Sequence, residues 1–321
     1  MQKQLKILFI RFSSIGDIIL TTPIVRCVKL QVDAQVHFLT KKKYNSLIEN
    51  NKYIDKIYLL DNTKKISSQL EKEGYDYIID LHNNLRSNYI KFKLSVKSFS
   101  VSKNILERYL LINFGINRLN NHVVNRYFKT VNFLNIKNDN LGLDYFVKEE
   151  KKINYDYKKD YLSWCIGGTY EQKKLSINQI KDVIDKVDLP IVLLAGDNEK
   201  AYANEIIRIS KNKNITNFCG KLSINESAYL IKHSKLFLTN DTGMMHIASS
   251  FDIPIISFWG CTKPSLGFYA YHPKKSIINM ESIKSKRPCS RHGSNCRYKK
   301  EGCIKTIPSN EILKNINLIL D

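Results

Sequence analysis

The sequence lacks any apolar run approaching ~18 residues, which excludes an ordinary transmembrane helix. Its opening stretch, MQKQLKILFIRF, is broken by Arg11 and is too short for a secretory h-region, so a cytoplasmic protein is expected. The seven cysteines, an odd number, fit a reducing compartment better than a disulfide framework. No G-x-x-x-x-G-K-[ST] loop occurs, which excludes a Walker-type phosphate cradle. Neither half has a G-x-G-x-x-G after its first strand pattern, which argues against an NAD or FAD oxidoreductase. Short internal repeats and low-complexity tracts are missing too.

Acidic residues are scarce beside basic ones, 30 against 51, for a net charge of +21. One reading is an anionic partner such as a phosphorylated substrate or an anionic membrane face. The other is compositional drift, since Lys, Asn and Ile are abundant throughout the chain. The charge lacks the stripe expected of a single-strand nucleic-acid binder and an obvious helix-turn-helix signal, so a nucleic-acid partner is not expected.

What is present suffices for real cores: 43% apolar residues and 18 tyrosines over 321 positions, long enough for two domains. In the first half, LKILFIRF (5–12), AQVHFLT (34–40), KIYLL (56–60), YDYIIDLH (75–82) and SFSVS (98–102) read as strands. Helical patterns at 17–31, 44–50, 64–73 and 84–95 separate them, and more follow at 104–114 and 122–136. Alternation of this kind predicts a parallel sheet covered on both faces. Periodicity fails in the charge-rich stretch 137–160, which reads as an interdomain linker. Strand patterns then resume at 160–168, 190–196, 215–220, 235–240 and 254–260, with helices between them and a last amphipathic helix at 309–320. The expected domains are 1–150 and 151–321, with the last helix placed to pack back on the first. Ligands of such sheets bind beyond the carboxyl ends of the strands.

Three strand-to-helix loops carry candidate chemistry. In IRFSSIGDIILTTPIV (10–25), Ser14 and Asp17 have the form of a capping box with Asp in place of Glu or Gln. Alternatively the regular helix starts at Thr22-Pro23, with Thr22 as N-cap and Pro23 at N1, and Asp17 projects from a loop. In TNDTGMMHIASS (239–250), Asp241 or Thr242 can cap the following helix. The amides of Thr242, Gly243 and Met244 then lie near its positive end, a place for a phosphate or diphosphate. His246, one turn on, is read either as a buried hydrogen-bonded histidine or as a ligand contact. In IGGTYEQKKLS (166–176), Lys173 or Lys174 can neutralise a phosphate, or the pair is simply a solvated run.

Taken together and in order, FIRFSSIGDIILTTP, YDYIIDLHNNLRS, the lysine loop at 173–174 and LTNDTGMMHIASSFDIPIISFWG resemble glycosyltransferase family 9, the ADP-heptose:lipopolysaccharide heptosyltransferases. The match runs from about residue 5 to 272. The resemblance implies the GT-B fold: α/β, two facing Rossmann-like doubly wound domains, acceptor on the first and nucleotide-sugar on the second. It implies inverting transfer of heptose from ADP-heptose to an anionic, lipid-linked acceptor of the lipid A–Kdo type. The alternatives are another nucleotide-diphosphate sugar, or a non-catalytic nucleotide-binding protein on the same fold.

By the same resemblance Asp17 is the catalytic base and Lys173 contacts the donor diphosphate, with Lys174 one register away. Thr242, Gly243 and Met244 supply amides around that diphosphate, Asp241 lies near the donor sugar, and His246 falls on a position commonly His. Glu226 falls near a glutamate that can hold the nucleotide ribose. Ser14, Gly16 and Arg86 are assigned to the acceptor side, Arg86 being equally well read as a surface arginine. A diphosphate leaving group is already a stable anion, so a base and a few hydrogen-bond donors suffice. The cleft loops carry no D-x-D-like pair, so no metal or other cofactor is expected. The family's Lys-Arg-Trp-Pro is here Lys173-Lys174-Leu175-Ser176, a change in the pocket around the donor sugar. The basic, aromatic-rich stretch 86–129 is the expected docking surface at the cytoplasmic face of the inner membrane, and a monomer is expected.

One cluster lies outside this scheme. RPCSRHGSNCRYKKEGC (287–303) places six residues between Cys289 and Cys296 and six more before Cys303, with His292 among them. Three thiolates and an imidazole are zinc ligands in kind, but the spacing is wider than the usual Cys-x2–4-Cys. The cluster stands as the one candidate in a chain otherwise expected to be metal-free.

Overall fold

A computed structural model describes residues 4–119, 121–148, 153–156, 158–271, 276–298 and 301–320. The chain divides into two compact units, residues 1–104 with 121–148, and residues 105–120 with 149–321.

In the first unit the strands are β1 (Leu5–Ile10), β2 (Ala34–Lys41), β3 (Lys56–Leu60), β4 (Tyr77–Asp80) and β5 (Ser98–Ser100). They pair in the order β3-β2-β1-β4-β5, parallel throughout. Buried on both faces, such strands need near-continuous apolar runs, as Ile7-Leu8-Phe9-Ile10 supplies. The helices of this unit are α1 (Ile15–Ile19), α2 (Thr22–Gln31), α3 (Thr63–Glu71) and α4 (Leu85–Leu94). After α5 (Ile105–Phe114), which belongs to the second unit, comes α6 (Val123–Phe128). Leu8, Ile10, Phe12, Ile66, Leu70, Ile78 and Ile90 form one core beneath α3 and α4.

The helix expected over 17–31 is two helices. Leu20 closes α1, and Thr21 rather than Thr22 is the N-cap of α2, with Pro23 in its first turn. The pattern at 44–50 is a 3-10 turn, Lys42–Leu47.

The charge-rich stretch from 137 is not a free linker over its described first part. Arg26, on α2, is almost fully buried and donates to both carboxylate oxygens of Asp139 at 2.8 Å and to the Gly142 carbonyl at 2.9 Å. It also pairs with Asp144, whose amide donates to Thr22 Oγ1 at 2.8 Å. Residues 137–148 are therefore strapped to the first unit. Residues 149–152 and 157 of that stretch, and residue 120 of the expected docking stretch, lie outside the described residues.

In the second unit β6 (Leu162–Cys165), β7 (Ile191–Leu194), β8 (Ile215–Asn217), β9 (Leu236–Asn240), β10 (Ile255–Trp259) and β11 (Ile277–Glu281) form another parallel sheet. Its order is β11-β10-β9-β6-β7-β8. The sequence pattern missed β11, an edge strand with no fully buried residue and hence a weak apolar signal. The helices are α7 (Ile177–Ile184), α8 (Lys200–Ile209), α9 (Ile224–Lys232), α10 (Gly243–Ala248) and α11 (Ser309–Leu320). Ile312 and Ile316 of α11 sit in the second unit's own core with Ile180, Val183 and Leu236. Gln179 of α7 fixes the approach to α11 by donating to the Ile307 carbonyl at 2.7 Å. Among the described residues no helix is long and apolar enough to cross a membrane.

Replacing Arg26 by Met leaves two carboxylates without their partner, and breaking such a pair costs about 3 kcal/mol or more. Urea unfolding of R26M is expected to show that loss, whereas a change under about 0.5 kcal/mol, the usual size for an uninvolved surface site, would contradict the strap.

Candidate active site

In both sheets the strand order reverses between the first strand of the unit and the strand that crosses over it, β1 beside β4 and β6 beside β9. The loops leaving those pairs are where an α/β sheet opens a ligand crevice. The three strand-to-helix loops singled out above each leave one of these four strands.

In the first unit Asp17 lies in the first turn of α1. Its Oδ2 accepts the Ser14 amide at 3.1 Å and the Ser14 hydroxyl at 2.9 Å. Its Oδ1 pairs with Arg11, at the end of β1, at 2.7 Å. The two sequence readings merge here, since the carboxylate caps α1 and a quarter of its side chain still meets solvent. Burial works to raise the Asp17 pKa, but the Arg11 charge and the Ser14 hydrogen bonds outweigh it and hold the carboxyl below its ordinary value. Gly16 is buried in the same turn and Ser14 is exposed.

Arg11 is the residue that sequence reasoning overlooked. Its guanidinium also donates to the Ser13 carbonyl at 2.8 Å and to the Leu81 carbonyl after β4, linking the two loops. Asp80, fully buried at the end of β4, pairs with Lys91 at 3.0 Å and accepts the amides of His82 and Asn83 at 3.0 and 2.7 Å. His82 packs on Phe12, and burial together with the Arg11 charge pushes its pKa down to about 4. Arg86 is not with this group. It is exposed on α4 and lines an open groove of about 490 Å³ with Lys41, Lys42, Lys43 and Asn62.

In the second unit the two lysines have different partners. Lys173 Nζ reaches Asp241 Oδ2 at 2.7 Å, and the same oxygen accepts the Thr262 hydroxyl at 2.8 Å. Lys174 points elsewhere, to Glu199 at 3.1 Å and Glu171 at 2.6 Å, and is buried there. Asn240, at the end of β9, donates to the carbonyls of Ile166 and Gly167 at 3.1 and 2.9 Å. The loops after β6 and β9 are thus joined twice. Asn240 lies inside the TNDTGMMHIASS stretch but was given no role there, and Thr262, three residues past β10, carried no motif signal.

Thr242 is the N-cap of α10, but its side chain makes no capping hydrogen bond and instead lies 3.2 Å from the Thr239 hydroxyl. Gly243 and Met244 begin α10, and His246 is buried within it. Glu226 sits apart, in the first turn of α9, where its Oε2 accepts the Ser223 amide at 2.8 Å and completes a capping box.

The cysteine cluster differs from the expected set. The sulfurs of Cys289, Cys296 and Cys303 gather with that of Cys261, after β10, all four within 4.8 Å of one another. His292 is not among them, so a fourth thiol takes the place the sequence reading gave to an imidazole.

The comparisons with known proteins agree with this architecture. The model of "Glycosyltransferase family 9 (heptosyltransferase)" matches residues 63–299. A curated "Lipopolysaccharide heptosyltransferase 1" of Campylobacter coli is 25% identical, covering 97% of each chain. A family 9 glycosyltransferase structure from Veillonella parvula superposes with a TM-score of 0.78 at 19% identity, covering 98% of this chain and 97% of that one. An Escherichia coli heptosyltransferase solved with ADP gives 0.73 at 14% identity, covering 98% and 100%. The fold they share is GT-B.

Because Asp17 titrates below its unfolded value, its pairing stabilises the fold above the ordinary aspartate pKa and is lost as pH falls through the lower folded one. A carboxyl-detected NMR titration is expected to find Asp17 more than half ionised at pH 3.8 and shifted upward in Arg11→Met. An unchanged midpoint in the variant would show that Arg11 does not set it.

Proposed function

Since the chain belongs to glycosyltransferase family 9, the heptosyltransferases, we propose that it moves heptose from ADP-heptose to a lipid A–Kdo type acceptor of the lipopolysaccharide inner core, with inversion. The named activity of the Campylobacter coli relative and the ADP in the Escherichia coli structure support the donor class. The observation that carries the reading is the Lys173–Asp241–Thr262 group at the reversal point of the second sheet.

An ammonium has three donors, and Asp241 occupies one, so Lys173 is poised to meet a diphosphate without leaving its partner. The amides of Thr242, Gly243 and Met244 lie at the positive end of α10 and add donors for the same anion. Lys174 is assigned to the framework, not to the donor. Glu226 is proposed to meet the nucleotide ribose.

Asp17 is the proposed base. The acceptor hydroxyl oxygen forms a bond to the anomeric carbon while its proton passes to the Asp17 carboxylate. The bond from that carbon to the diphosphate oxygen breaks, and ADP leaves with the electron pair. A carboxylate held ionised by Arg11 is a weak base, so it takes the proton only as the C–O bond forms and the hydroxyl acidifies. Ser14 and Gly16 shape the turn beside it. Arg86 and its lysine neighbours are proposed to meet acceptor phosphates.

The acceptor's lipid puts the reaction at a membrane face. Ile105, Leu106, Tyr109 and Phe114 of α5 and the following Ile116 are exposed. They are suited to shallow insertion, with the charge of +21 favouring anionic lipid. A monomer at the cytoplasmic face of the inner membrane is the proposed state.

The test is transfer from ADP-heptose to Kdo–lipid A. Asp17→Asn is expected to lose about 10²- to 10⁴-fold in kcat while still binding ADP. Lys173→Met is expected to weaken ADP binding by about tenfold or more, the size of one charge-assisted contact. Wild-type ADP binding without any heptose transfer would point to another sugar, and Asp17→Asn at full rate would return that carboxylate to helix capping.

A further inference from the structure

Four cysteine sulfurs converge in the second unit, and neither the fold nor the proposed transfer uses them. They come from two places far apart in sequence, Cys261 after β10 and the segment from Cys289 to Cys303. Cys261, Cys289 and Cys303 are buried and Cys296 is half-buried. A divalent ion with M–S bonds of about 2.3 Å in tetrahedral geometry sets its sulfurs about 3.8 Å apart. The Cys261 and Cys303 sulfurs are 3.8 Å apart, and all four lie within 4.8 Å.

We propose that Cys261, Cys289, Cys296 and Cys303 form a closed tetrathiolate site for one divalent transition-metal ion, zinc or iron. Soft thiolate ligands in a set of four select these ions over calcium or magnesium. On binding, four thiols release four protons and the complex carries a net charge of −2. A neighbouring positive group is Arg287, which pairs with Glu281 at 2.6 Å and whose almost fully buried side chain donates to the carbonyls of Gly260 and Thr262, on either side of Cys261, at 3.0 and 3.1 Å. The Cys289 amide donates to the Cys261 carbonyl at 2.7 Å, so the two ligand-bearing segments are already aligned.

The surroundings give the site a structural task. Among the described residues, the chain from the end of β11 to Cys303 contains no helix or strand, so it has little core of its own to hold it. That segment nevertheless packs on the Lys173 loop. A Cβ on Gly293 would come within 2.8 Å of the Lys173 side chain, and one on Gly302, at φ +97°, within 2.6 Å of the Gln172 backbone. From the other side Thr262, next to Cys261, bonds Asp241. The ion would therefore fix both neighbours of the Lys173–Asp241 pair. Four protein ligands leave no open position, which fits a structural rather than a catalytic metal. This positioning role rests on the donor reading given above; the metal site itself does not.

The test is elemental analysis of full-length protein purified without chelator or added metal, backed by Co²⁺ titration of demetallated wild type. About one zinc or iron per chain is expected, with the intense thiolate-to-cobalt absorption of a tetrahedral tetrathiolate. Cys261→Ser and Cys296→Ser should lower the content several-fold, and His292→Ala should leave it unchanged. Wild type with under ~0.1 metal per chain and no tetrathiolate cobalt spectrum would overturn the site, as would disulfides in freshly isolated protein. Loss of metal in His292→Ala would overturn the ligand set. Removing the ion should also lower the unfolding temperature and weaken ADP binding several-fold. An unchanged unfolding temperature would overturn the structural task. Metal-dependent stability with no ADP binding in either form would leave the site standing and reject the donor reading.

Discussion

In a parallel sheet whose strand order reverses, the crossover helices on either side of the reversal go to opposite faces, and the loops leaving the two central strands are not covered by either. This chain builds that arrangement twice. The reversal between β1 and β4 receives Arg11, Asp17 and His82, and the one between β6 and β9 receives Lys173, Asn240 and Asp241. The apolar runs of the strands do nothing chemical, but they fix where these side chains emerge. A one-residue slip along β9 would carry Asp241 away from Lys173 and turn its neighbours to the wrong face.

Electrostatics then distinguishes the two places. The protein has a large excess of cations, yet each carboxylate at a reversal point is paired with a specific base: Asp17 with Arg11, Asp80 with Lys91, Asp241 with Lys173. In the first unit the arginine keeps a carboxylate ionised in a partly buried turn. In the second the carboxylate and Thr262 orient a lysine. On the proposed function the same kind of ion pair thus has opposite uses, one presenting a base and the other presenting a cation.

Much of this was legible before any coordinates. Strand runs such as LKILFI and LFLTN identified the two sheets, and the family resemblance drew attention to Asp17, Lys173 and Asp241. Other features were hidden for definite reasons. The choice between Lys173 and Lys174 depends on which side chain faces Asp241 and which faces Glu199, and the contacts separating them are with residues 25 and 68 positions away. Arg26 gives no sign in sequence that it straps down Asp139 and Asp144, because an arginine on a helix is normally a surface residue. Cys261 stands 28 residues before Cys289, so local spacing offered His292 as the fourth candidate, and only the fold brings the Cys261 sulfur beside the other three. Glu226 was read as a ribose contact from its motif, yet the Ser223 cap three residues earlier already claims part of its carboxylate.

The central claim is a single displacement at the anomeric carbon assisted by one carboxylate base, Asp17. The most direct test is the anomeric configuration of the heptose that wild-type enzyme attaches to its acceptor, read by NMR against that of the nucleotide-sugar. The account predicts inversion. Retention would require a second nucleophile or a glycosyl-enzyme intermediate, and would contradict it.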